Sequence, residues 1–302
     1  MPTVSVIILS YNRPALLRRA LASVLAQSFD EVEVIVVDNA SPASEEVARV
    51  VGERAGVKLI RNDANLGYAG GMNRGIECAS GRYVYLTEDD IRLDPDCVRH
   101  LFEHMEASTE SGVCSPLMYN EAAGTIRCAG GALHLGGVYR RETFGEGESD
   151  TGQYARPFEV TYVDGAVIFA RAEFLRSLGG FREEYFMYVE AVEFSARVAK
   201  AGGKMFVVPG AKVYHFEPAA GVGPHADLEF HKQKNLYSLY LLHAPARVLP
   251  EFFLRYGLLV PLRSMSAQRA AVWPLLKAWG WLLLRAPSLV RERREAASVR
   301  AR

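Results

Sequence analysis

Acidic side chains are concentrated in one short segment of the sequence, 87-TEDDIRLDPD-96. Glu88 and Asp90 lie on the same side of an extended chain, because side chains alternate along a strand. Carboxylates that are packed together repel one another, and a divalent cation such as Mg²⁺ or Mn²⁺, which prefers oxygen ligands, relieves that repulsion. The segment therefore predicts a metal site that includes Asp90, whereas Asp94 and Asp96 are better explained as the cap of a following helix.

Two further segments carry residues that can bind phosphate or metal. The segment 65-NLGYAGGMNRG-75 is a glycine-rich loop that opens a helix, and such loops can bind phosphate. Its glycines fit neither the GxGxxG pattern of dinucleotide-binding proteins nor the GxxxxGK(S/T) pattern of the P-loop. His215 ends the segment 207-VVPGAKVYH-215 and is a candidate ligand, although a lone histidine after a strand is more often structural.

The segment 186-FMYVEAVEFSAR-197 has the periodicity of an amphipathic helix. Glu190 and Glu193 are three residues apart, which places both carboxylates on one face, and Ala191 stands between them. Two interpretations are open at this point. The segment is either the acidic helix of an active site or an ordinary helix whose charged face is solvated.

The elements that must position these residues follow from the pattern of the first part of the chain. Apolar strands such as 3-TVSVIIL-9 and 31-EVEVIVVD-38 alternate with segments of helical periodicity. This order predicts βαβ units and an α/β fold with a mainly parallel sheet that is flanked by helices. Ligands bind to such sheets at the carboxyl ends of the strands. The polar residues at those ends are Ser10, Tyr11, Asp38, Asn39, Asn65, Glu88, Asp89 and Asp90.

The pattern loosens after residue 115. Residues 124–160 are rich in glycine and predict loops or short hairpins. The segment 204-KMFVVPGAKVYH-215 predicts a pair of strands that is interrupted at Pro209. From Leu236 onward the chain is predicted to be helical and strongly apolar.

The C-terminal region differs from the rest of the chain in charge. The net charge is zero overall, but residues 247–302 contain eleven Arg and Lys against three Glu, which gives +8, so residues 1–246 carry −8. An apolar stripe runs among these cations: Val272, Leu275, Leu276, Trp279, Leu282 and Leu283. Such a helix suits the interface of an anionic membrane. The alternative is that the stripe packs on the rest of the chain or on a second subunit.

Other features bear on location and partners. The four cysteines form no CxxC pair, which fits a reducing cytosol and suggests neither a zinc site nor a redox pair. The N-terminal segment lacks the basic region of a signal peptide, and no run of about 18 apolar residues predicts a spanning helix. No basic patch with interleaved aromatic residues indicates nucleic-acid binding. We therefore expect a cytoplasmic protein.

Seven motifs occur in the order in which family 2 glycosyltransferases of the GT-A fold carry them: VSVIILSYNR, VIVVDNAS, NLGYAGGMNRGI, YLTEDDIRLDPD, VDGAVIFARAEFLRSLGGF, FMYVEAVEFSAR and VVPGAKVYH. The sequence resembles this family from about residue 3 to residue 240, and within it the rhamnosyl- and galactofuranosyltransferases of cell-surface polymers. The resemblance implies a GT-A domain at residues 1–240, with a nucleotide-binding half at about 1–115 and an acceptor half at about 116–240. Residues 241–302 would follow it as a basic, amphipathic helical region.

The resemblance also implies a role for each matched residue. Glu88 and Asp90 match the two acids of the metal-binding DxD motif, and His215 matches a histidine that joins the metal or the diphosphate. Gly165 and Ala166 match the turn on the acceptor side. The implied cofactor is Mg²⁺ or Mn²⁺. The residues implied to bind the nucleotide-sugar are Ser10, Tyr11, Arg13, Asp38, Asn65, Gly67, Asn73, Glu88 and Asp89.

The implied reaction moves a sugar from a UDP- or dTDP-sugar to a hydroxyl of a glycan or lipid-linked acceptor, with inversion at the anomeric carbon. A base takes the proton of the acceptor hydroxyl, and the metal stabilises the charge on the leaving diphosphate. The reaction would belong to the synthesis of a cell-surface polysaccharide. We expect it at the inner face of the plasma membrane, with the C-terminal region as a peripheral contact, and homo-oligomerisation is left open.

One position departs from the pattern of the family. The active-site helix of the family reads E-D-x-D/E, and its Asp is the usual base, but Ala191 occupies that place here. The other catalytic candidates are Glu190 and Glu193. Three explanations fit: Glu190 serves as the base, the protein is a catalytically impaired sugar-nucleotide-binding protein on the same fold, or the chain is an engineered knock-out. A sugar-phosphate nucleotidyltransferase fits less well, because SYNRPALL lacks the glycine-rich, basic loop of that class.

Overall fold

The first part of the structure is a parallel sheet between two layers of helices. The computed structural model describes residues 2–137, 140–216, 226–259 and 272–300. Its first elements are β1 (Val4–Ser10), α1 (Pro14–Leu25), β2 (Val32–Asp38), α2 (Ser44–Gly52), β3 (Val57–Arg61), α3 (Gly67–Cys78) and β4 (Tyr83–Glu88). The four strands pair in parallel in the order β3-β2-β1-β4.

Alternate residues of the central strand β1 are buried on opposite faces of the sheet. Val6 and Ile8 pack in a cluster with α1 and α2, whereas Ile7 and Leu9 pack in a cluster with α3. Burial of both faces explains why the strands read as continuous apolar runs. The predicted α/β fold, with a mainly parallel sheet flanked by helices, is confirmed.

The sheet continues through the second part of the chain with strands of both directions. The elements after β4 are β5 (Ile91–Leu93), α4 (Cys97–Ala107), β6 (Ser111–Asn120), β7 (Ile126–Cys128), β8 (Gly131–His134), β9 (Arg140–Thr143), β10 (Phe158–Val160), β11 (Val167–Arg171), α5 (Ala172–Ser177), α6 (Glu190–Lys200) and β12 (Lys204–His215). β11 runs antiparallel between β4 and β6, and β6 pairs in parallel with β12. β5 and β10 also pair with β12, and β7 pairs with β6. β8 pairs antiparallel with β9, so residues 124–160 contain a short hairpin, as one of the two predicted alternatives.

β12 is one strand, so the predicted pair of strands in residues 204–215 is wrong. Its register against β6 shifts between Val208 and Lys212, where Pro209 and Gly210 lie. Proline has no N–H to donate to the ladder, and a local irregularity accommodates it without ending the strand. Beyond this point β12 continues along β6 to His215, which thereby reaches the acidic segment.

The predicted boundary between a nucleotide-binding half and an acceptor half falls within β6, which spans residues 111–120. One sheet therefore runs through both halves. The division describes which ligand each part binds, and it stays a prediction.

The C-terminal part is helical. It consists of α7 (Ala226–His243), α8 (Leu249–Phe252), a π-helical continuation (Phe253–Leu259) and α9 (Val272–Arg300). No helix within the described residues is long and apolar enough to cross a membrane.

The predicted apolar stripe on α9 is divided between the protein and the solvent. Leu275 is buried, Leu282 is buried in a cluster with residues of α7, and Trp279 packs against that cluster. Leu276 and Leu283, by contrast, are 55% and 71% exposed. The side chain of Val272 lies outside the described part of the structure. One side of the helix thus packs on the rest of the chain, and the membrane interpretation stays a prediction for the exposed side.

Candidate active site

Three parallel strands bring polar side chains to one edge of the sheet. β1 ends at Ser10, β2 at Asp38 and β4 at Glu88, and the register pairs Ser10 with Asp38. The hydroxyl of Ser10 donates a hydrogen bond to Asp89 Oδ2 at 2.8 Å, and the backbone N–H of Ser41 donates one to Asp38 Oδ1 at 3.0 Å. This edge is where the βαβ order predicts a ligand site.

Arg13 is paired with the two aspartates that follow β4. Its guanidinium lies 2.8 Å from Asp89 Oδ1 and 2.7 Å from Asp90 Oδ2. Burial nevertheless raises the pKa of Asp89 to about 7, although the charge of Arg13 opposes this rise. Asp89 therefore joins Ser10 to Arg13 inside the protein.

Glu88, Asp90 and His215 form a cluster with the composition of a divalent-cation site. Ligand atoms from all three lie within 4.8 Å of one another. His215 Nε2 is 3.7 Å from Asp90 Oδ1, because the antiparallel pairing of β5 with β12 sets His215 opposite Ile91. The backbone N–H of Phe216 donates to the Asp90 carbonyl at 2.8 Å and fixes this approach.

The chemistry of the cluster fits a cation such as Mg²⁺ or Mn²⁺. Asp90 Oδ1 is buried and accepts no hydrogen bond from the described residues. Burial, together with the charge of Asp90, raises the pKa of Glu88 well above its usual value. A divalent cation would neutralise both carboxylates and occupy the unused lone pairs.

Asn39, Asn65 and Gly67 form a neutral group beside the end of β2. Asn39 Nδ2 donates to Asn65 Oδ1 and to the Gly67 carbonyl, both at 3.0 Å, and the Gly67 N–H donates to Asn65 Oδ1 at 2.8 Å. Gly67 has a φ of +68°, and a Cβ at this position would lie 2.3 Å from the carbonyl oxygen of Phe186. Only glycine fits this approach, so the start of α3 is held against the segment that leads into α6.

A cleft of about 900 Å³ opens where these elements meet α6 and α7. It brings Glu88 and His215 together with Gly165, Glu190 and Ala191. Other predicted or charged residues of its lining are Ala166, Asp164, Arg127, Arg141 and Lys232. The predicted site residues that do not line it are Ser10, Tyr11, Arg13, Asp38, Asn65, Gly67, Asn73, Asp89, Asp90 and Glu193.

Glu190 is the first residue of α6 and lies in the cleft. Its Oε2 atom is buried and has no hydrogen-bond partner among the described residues. Burial raises the pKa of Glu190 to about 7; the charge of Asp164 adds to the rise, and the N–H groups of the helix start oppose it. A carboxylate with a pKa near the working pH can take up or give a proton. Ala191, the next residue, is only 5% exposed and offers no such group.

Glu193 belongs to a buried network behind the cleft. It is fully buried and lies 2.8 Å from Arg197 Nε and 3.0 Å from His243 Nε2. Burial alone would raise the pKa of Glu193, but the hydrogen bond from His243 and the charge of Arg197 hold the pKa below its usual value. The network joins α6 to the end of α7, and the catalytic role of Glu193 stays a prediction that this geometry does not favour.

Asn73 and Tyr11 also lie away from the cleft. Asn73 Nδ2 donates to the Phe181 carbonyl, and Asn73 Oδ1 accepts from the Phe181 N–H, each at 2.8 Å. Asn73 thus holds the backbone at Phe181, which lies before the turn that leads into α6. Tyr11 is 43% exposed just beyond the end of β1. Their predicted contacts with the nucleotide stay predictions.

Asp164 and Tyr68 are among the polar residues of the cleft that the sequence analysis missed. Asp164 accepts hydrogen bonds from the Ala166 N–H at 3.0 Å and from the Tyr162 hydroxyl at 3.3 Å. The Tyr68 hydroxyl donates to the Gly165 carbonyl. Asp164 lies just before β11, which is antiparallel to β4, and so it comes to the edge at which β4 ends.

Comparison with known proteins identifies the family. The model of "Glycosyl transferase family 2" matches residues 5–160, and the model of "Glycosyl transferase family group 2" matches residues 83–284. N-acetylglucosaminyl-diphospho-decaprenol L-rhamnosyltransferase of Mycobacterium tuberculosis is 26% identical over 260 residues, which cover 79% of this chain and 84% of the relative. Succinoglycan biosynthesis protein ExoO of Rhizobium meliloti is 37% identical over 112 residues, or 36% of this chain and 31% of that protein.

Solved structures share the fold. The mannosyltransferase PcManGT of Pyrobaculum calidifontis, in complex with GDP-Man and Mn²⁺, superposes with a TM-score of 0.57 at 18% identity over 99% of this chain and 86% of its own. TarS of S. aureus in complex with UDP gives 0.58 at 18% identity over 100% and 87%. GalNAc-T7 with UDP, GalNAc and Mn²⁺ gives 0.61 at 18% identity over 80% and 48%. These likenesses confirm the GT-A fold, and because each family model covers more than half of the sequence, the chain belongs to glycosyl transferase family 2.

Proposed function

We propose that the protein is an inverting glycosyltransferase that moves a sugar from a UDP- or dTDP-sugar to a hydroxyl of a glycan or lipid-linked acceptor, in the synthesis of a cell-surface polysaccharide. The observation that carries this proposal is that Glu88 and His215 line the same cleft as Glu190. A cation-binding cluster for a diphosphate and a proton acceptor for a hydroxyl are the two groups that the reaction requires.

The names of the relatives support the choice of substrates. The Mycobacterium relative is named for transfer of L-rhamnose to a lipid-linked acceptor, and the Rhizobium relative is named for succinoglycan biosynthesis. The solved neighbours hold UDP or GDP-Man, and two of them hold Mn²⁺. We accordingly assign the donor to residues 1–115 and the acceptor to residues 116–240.

The residues of the cleft divide the reaction between them. Glu88, Asp90 and His215 would hold Mg²⁺ or Mn²⁺, which stabilises the negative charge of the leaving diphosphate when bound. Glu190 takes the proton of the acceptor hydroxyl. At the same time the oxygen of that hydroxyl bonds to the anomeric carbon, and the bond from this carbon to the diphosphate breaks. Attack from the side opposite the diphosphate inverts the configuration. Because the pKa of Glu190 is about 7, a large fraction of this carboxylate is ionised at neutral pH.

A second candidate is a catalytically impaired protein that binds sugar nucleotides. The observation that favours it is Ala191, which is buried in the cleft at the place of the usual base. In this case Glu190 contributes little, and the donor site alone is functional.

We also propose that residues 241–302 form a peripheral contact with the inner face of the plasma membrane. Large apolar side chains are exposed on this region: Leu254, Leu258, Trp273, Leu276, Leu283 and Leu284. Exposed cations accompany them on α9: Lys277, Arg285, Arg291 and Arg294. An apolar surface with a basic surround is typical of helices that lie in an anionic interface.

A transfer assay tests the function. UDP- and dTDP-sugars are supplied with Mg²⁺ or Mn²⁺ and a polyprenyl-diphosphate-linked N-acetylglucosamine as the acceptor, and both sugar transfer and release of the nucleoside diphosphate are measured. We expect turnover that EDTA abolishes and that Asp90→Ala removes, whereas Asp94→Ala, which changes an acid outside the cluster, retains it. Donor binding without turnover on any acceptor supports the impaired protein. Failure to bind any nucleotide-sugar contradicts both candidates.

A further inference from the structure

The turn that leads into α6 has an unfavourable backbone conformation. Phe186, Tyr188 and Val189 have φ values of +60°, +66° and +67°. Residues other than glycine rarely adopt this left-handed backbone conformation, and a β-branched residue such as Val189 does so least readily. Val189 directly precedes Glu190, so this turn sets the position and direction of the proposed base. Such a conformation persists only where the surroundings hold it in place.

Asn235, from the middle of α7, provides a large part of that support. Its Nδ2 atom donates hydrogen bonds to the carbonyls of Tyr185 at 2.7 Å, Met187 at 3.0 Å and Tyr188 at 2.7 Å. The side chain is only 1% exposed, so water does not replace these bonds. Three backbone carbonyls of the strained turn are thus held by one amide group.

The orientation of the Asn235 amide is itself fixed. Lys234 Nζ donates to Asn235 Oδ1 at 2.8 Å and also to the Glu184 carbonyl. The oxygen of the amide therefore faces a cation and its nitrogen faces the three carbonyls, which is the only pairing of donors with acceptors that this geometry allows. On the other side of the turn, the Ala69 N–H donates to the Phe186 carbonyl at 3.1 Å. The turn is held between α3 and α7.

We propose that Asn235 is a positioning residue for transfer: it holds the left-handed turn so that Glu190, at the start of α6, stays in the cleft beside Gly165. This inference rests on the proposed function, because it takes Glu190 to be the proton acceptor. Asn235 does not line the cleft and touches no substrate; it acts through the backbone of residues 185–189. It makes α7, which lies outside the sheet, part of the device that orients the base.

The three hydrogen bonds from Asn235 to the turn are called the clamp here. The test compares variants that remove this clamp with a variant that removes a similar hydrogen bond elsewhere. Asn235→Ala deletes the amide whose two N–H groups are shared among the three carbonyls, and Asn235→Asp keeps the shape but turns carboxylate oxygens toward the carbonyls. Tyr237→Phe is the matched control, because the Tyr237 hydroxyl donates from the same helix to the Tyr256 carbonyl at 3.2 Å and not to the turn. Since a small displacement of a reacting group can cost about 100-fold in rate, we expect kcat to fall about 10- to 100-fold in both Asn235 variants. The donor Kd and the kcat of Tyr237→Phe should stay within about twofold of the wild type.

A rescue separates positioning from general stability. Glycine adopts a positive φ without a steric penalty, so Val189→Gly relieves the turn of part of its need for support. The double variant Asn235→Ala with Val189→Gly should regain most of the kcat that Asn235→Ala loses, at a temperature where circular dichroism shows every variant to be folded. If Asn235→Ala does not fold, Asn235→Asp and the double variant carry the comparison.

The outcomes also distinguish this proposal from the proposed function. A wild-type protein that transfers no sugar overturns the function and the positioning role together. A wild-type protein that transfers sugar, with Asn235 variants that keep its kcat, overturns the positioning role alone. A loss of kcat that Val189→Gly does not reduce overturns it as well, because the loss then does not arise from the strained turn.

Discussion

Gly165 and Ala191 face each other in the cleft: a Cβ built on Gly165 would lie 3.2 Å from the Cβ of Ala191 and 3.5 Å from Glu190 Oε1. The absence of a side chain at Gly165 leaves this space open next to position 191. The Tyr68 hydroxyl, which donates to the Gly165 carbonyl, holds the turn at that distance. A carboxylate at position 191 would lie in the same cleft as the Glu88 and His215 cluster.

If the protein is the impaired second candidate, which has no working base, Ala191→Asp should raise its turnover. A positioned general base contributes about 10²- to 10⁴-fold to rate, so kcat should then increase by about two orders of magnitude, whereas an enzyme in which Glu190 already takes the proton should gain little. Donor affinity should stay nearly unchanged, because the cation cluster and the residues at the ends of β1 and β2 are untouched. Steady-state kinetics and donor titration by calorimetry measure the two quantities. An unchanged kcat in Ala191→Asp means that position 191 is not the place of the base in this chain.

Glu190→Gln and Asp164→Asn distinguish the two acids of the cleft. If Glu190 is the base, transfer by the wild type rises as the pH passes through about 7, because the carboxylate then loses its proton. Glu190→Gln should lower kcat by about 10²-fold or more and remove this rise of the transfer rate with pH. Asp164→Asn takes away a negative charge that raises the pKa of Glu190, while the opposing charge of Arg141 remains. In Asp164→Asn the rise of the transfer rate should therefore occur at lower pH.

The opposite pattern assigns the roles the other way round. If Asp164→Asn abolishes transfer and Glu190→Gln leaves it intact, Asp164 is the proton acceptor. Donor Kd, measured on the same variants, serves as the control, since neither acid belongs to the cation cluster.

The donor edge of the site could be predicted because it depends on local order. Strands that alternate with helices pair in parallel, so Ser10, Asp38 and Glu88 come to one edge whatever the details of packing. His215 was placed there by the resemblance and not by periodicity. The structure supplies the physical reason: β12 crosses the irregularity at Pro209 and pairs with β5 beside Asp90.

The acceptor side could not be predicted in the same way, because it depends on the direction and packing of distant elements. Asp164 reaches the cleft only because β11 runs antiparallel to β4. Helical spacing places Glu190 and Glu193 on one side of α6, but the two residues have different surroundings. Glu190 lines the cleft, whereas Glu193 contacts His243 of α7. The clamp from Asn235 to the turn at residues 185–189 joins segments about 50 residues apart, which periodicity does not reveal.

Glu193→Gln should reduce stability and not the chemistry of the folded protein. It breaks a buried network with Arg197 and His243, and removal of one partner of a buried ion pair costs about 3–5 kcal/mol. Because the pKa of Glu193 is held below its usual value, its stabilising effect is fully present above about pH 4.3 and is lost as the pH falls through the folded pKa. Urea unfolding at pH 7 and at lower pH should show the gap between variant and wild type closing with acid.

Glu190→Gln is the contrasting variant for this measurement. Burial raises the pKa of Glu190 to about 7, so its ionised form is disfavoured in the folded protein at neutral pH. Its replacement by the neutral Gln should therefore not lower the free energy of unfolding at pH 7. Loss of kcat in folded Glu193→Gln, at unchanged stability, contradicts the structural role and returns Glu193 to the list of catalytic candidates.

The double variant Leu283→Ser with Leu284→Ser tests the membrane contact. These side chains are 71% and 82% exposed, so the substitutions should not lower the free energy of unfolding. Full burial of a leucine contributes about 1.5–3 kcal/mol, and partial insertion of two should account for about 3 kcal/mol of binding to a bilayer. We expect the double variant to bind vesicles that contain phosphatidylglycerol about 100-fold more weakly than the wild type in co-sedimentation.

Arg291→Gln with Arg294→Gln should weaken binding by about 2 kcal/mol, at about 1 kcal/mol for each cation, and added salt should remove this difference.

Two measurements decide whether a membrane or a second subunit is the partner of this surface. They are binding to neutral vesicles and the oligomeric state of the protein. If the cations act on anionic lipid, the arginine substitutions should have no effect on phosphatidylcholine vesicles, whereas the leucine substitutions should weaken binding to both. Leu282→Ala is not a substitute for the exposed pair, because Leu282 is buried in the cluster with α7 and its truncation should destabilise the fold by about 2–5 kcal/mol. A wild-type protein that ignores both kinds of vesicle, and that forms a dimer which Leu283→Ser with Leu284→Ser dissociates in sedimentation velocity, would assign the exposed side of α9 to self-association.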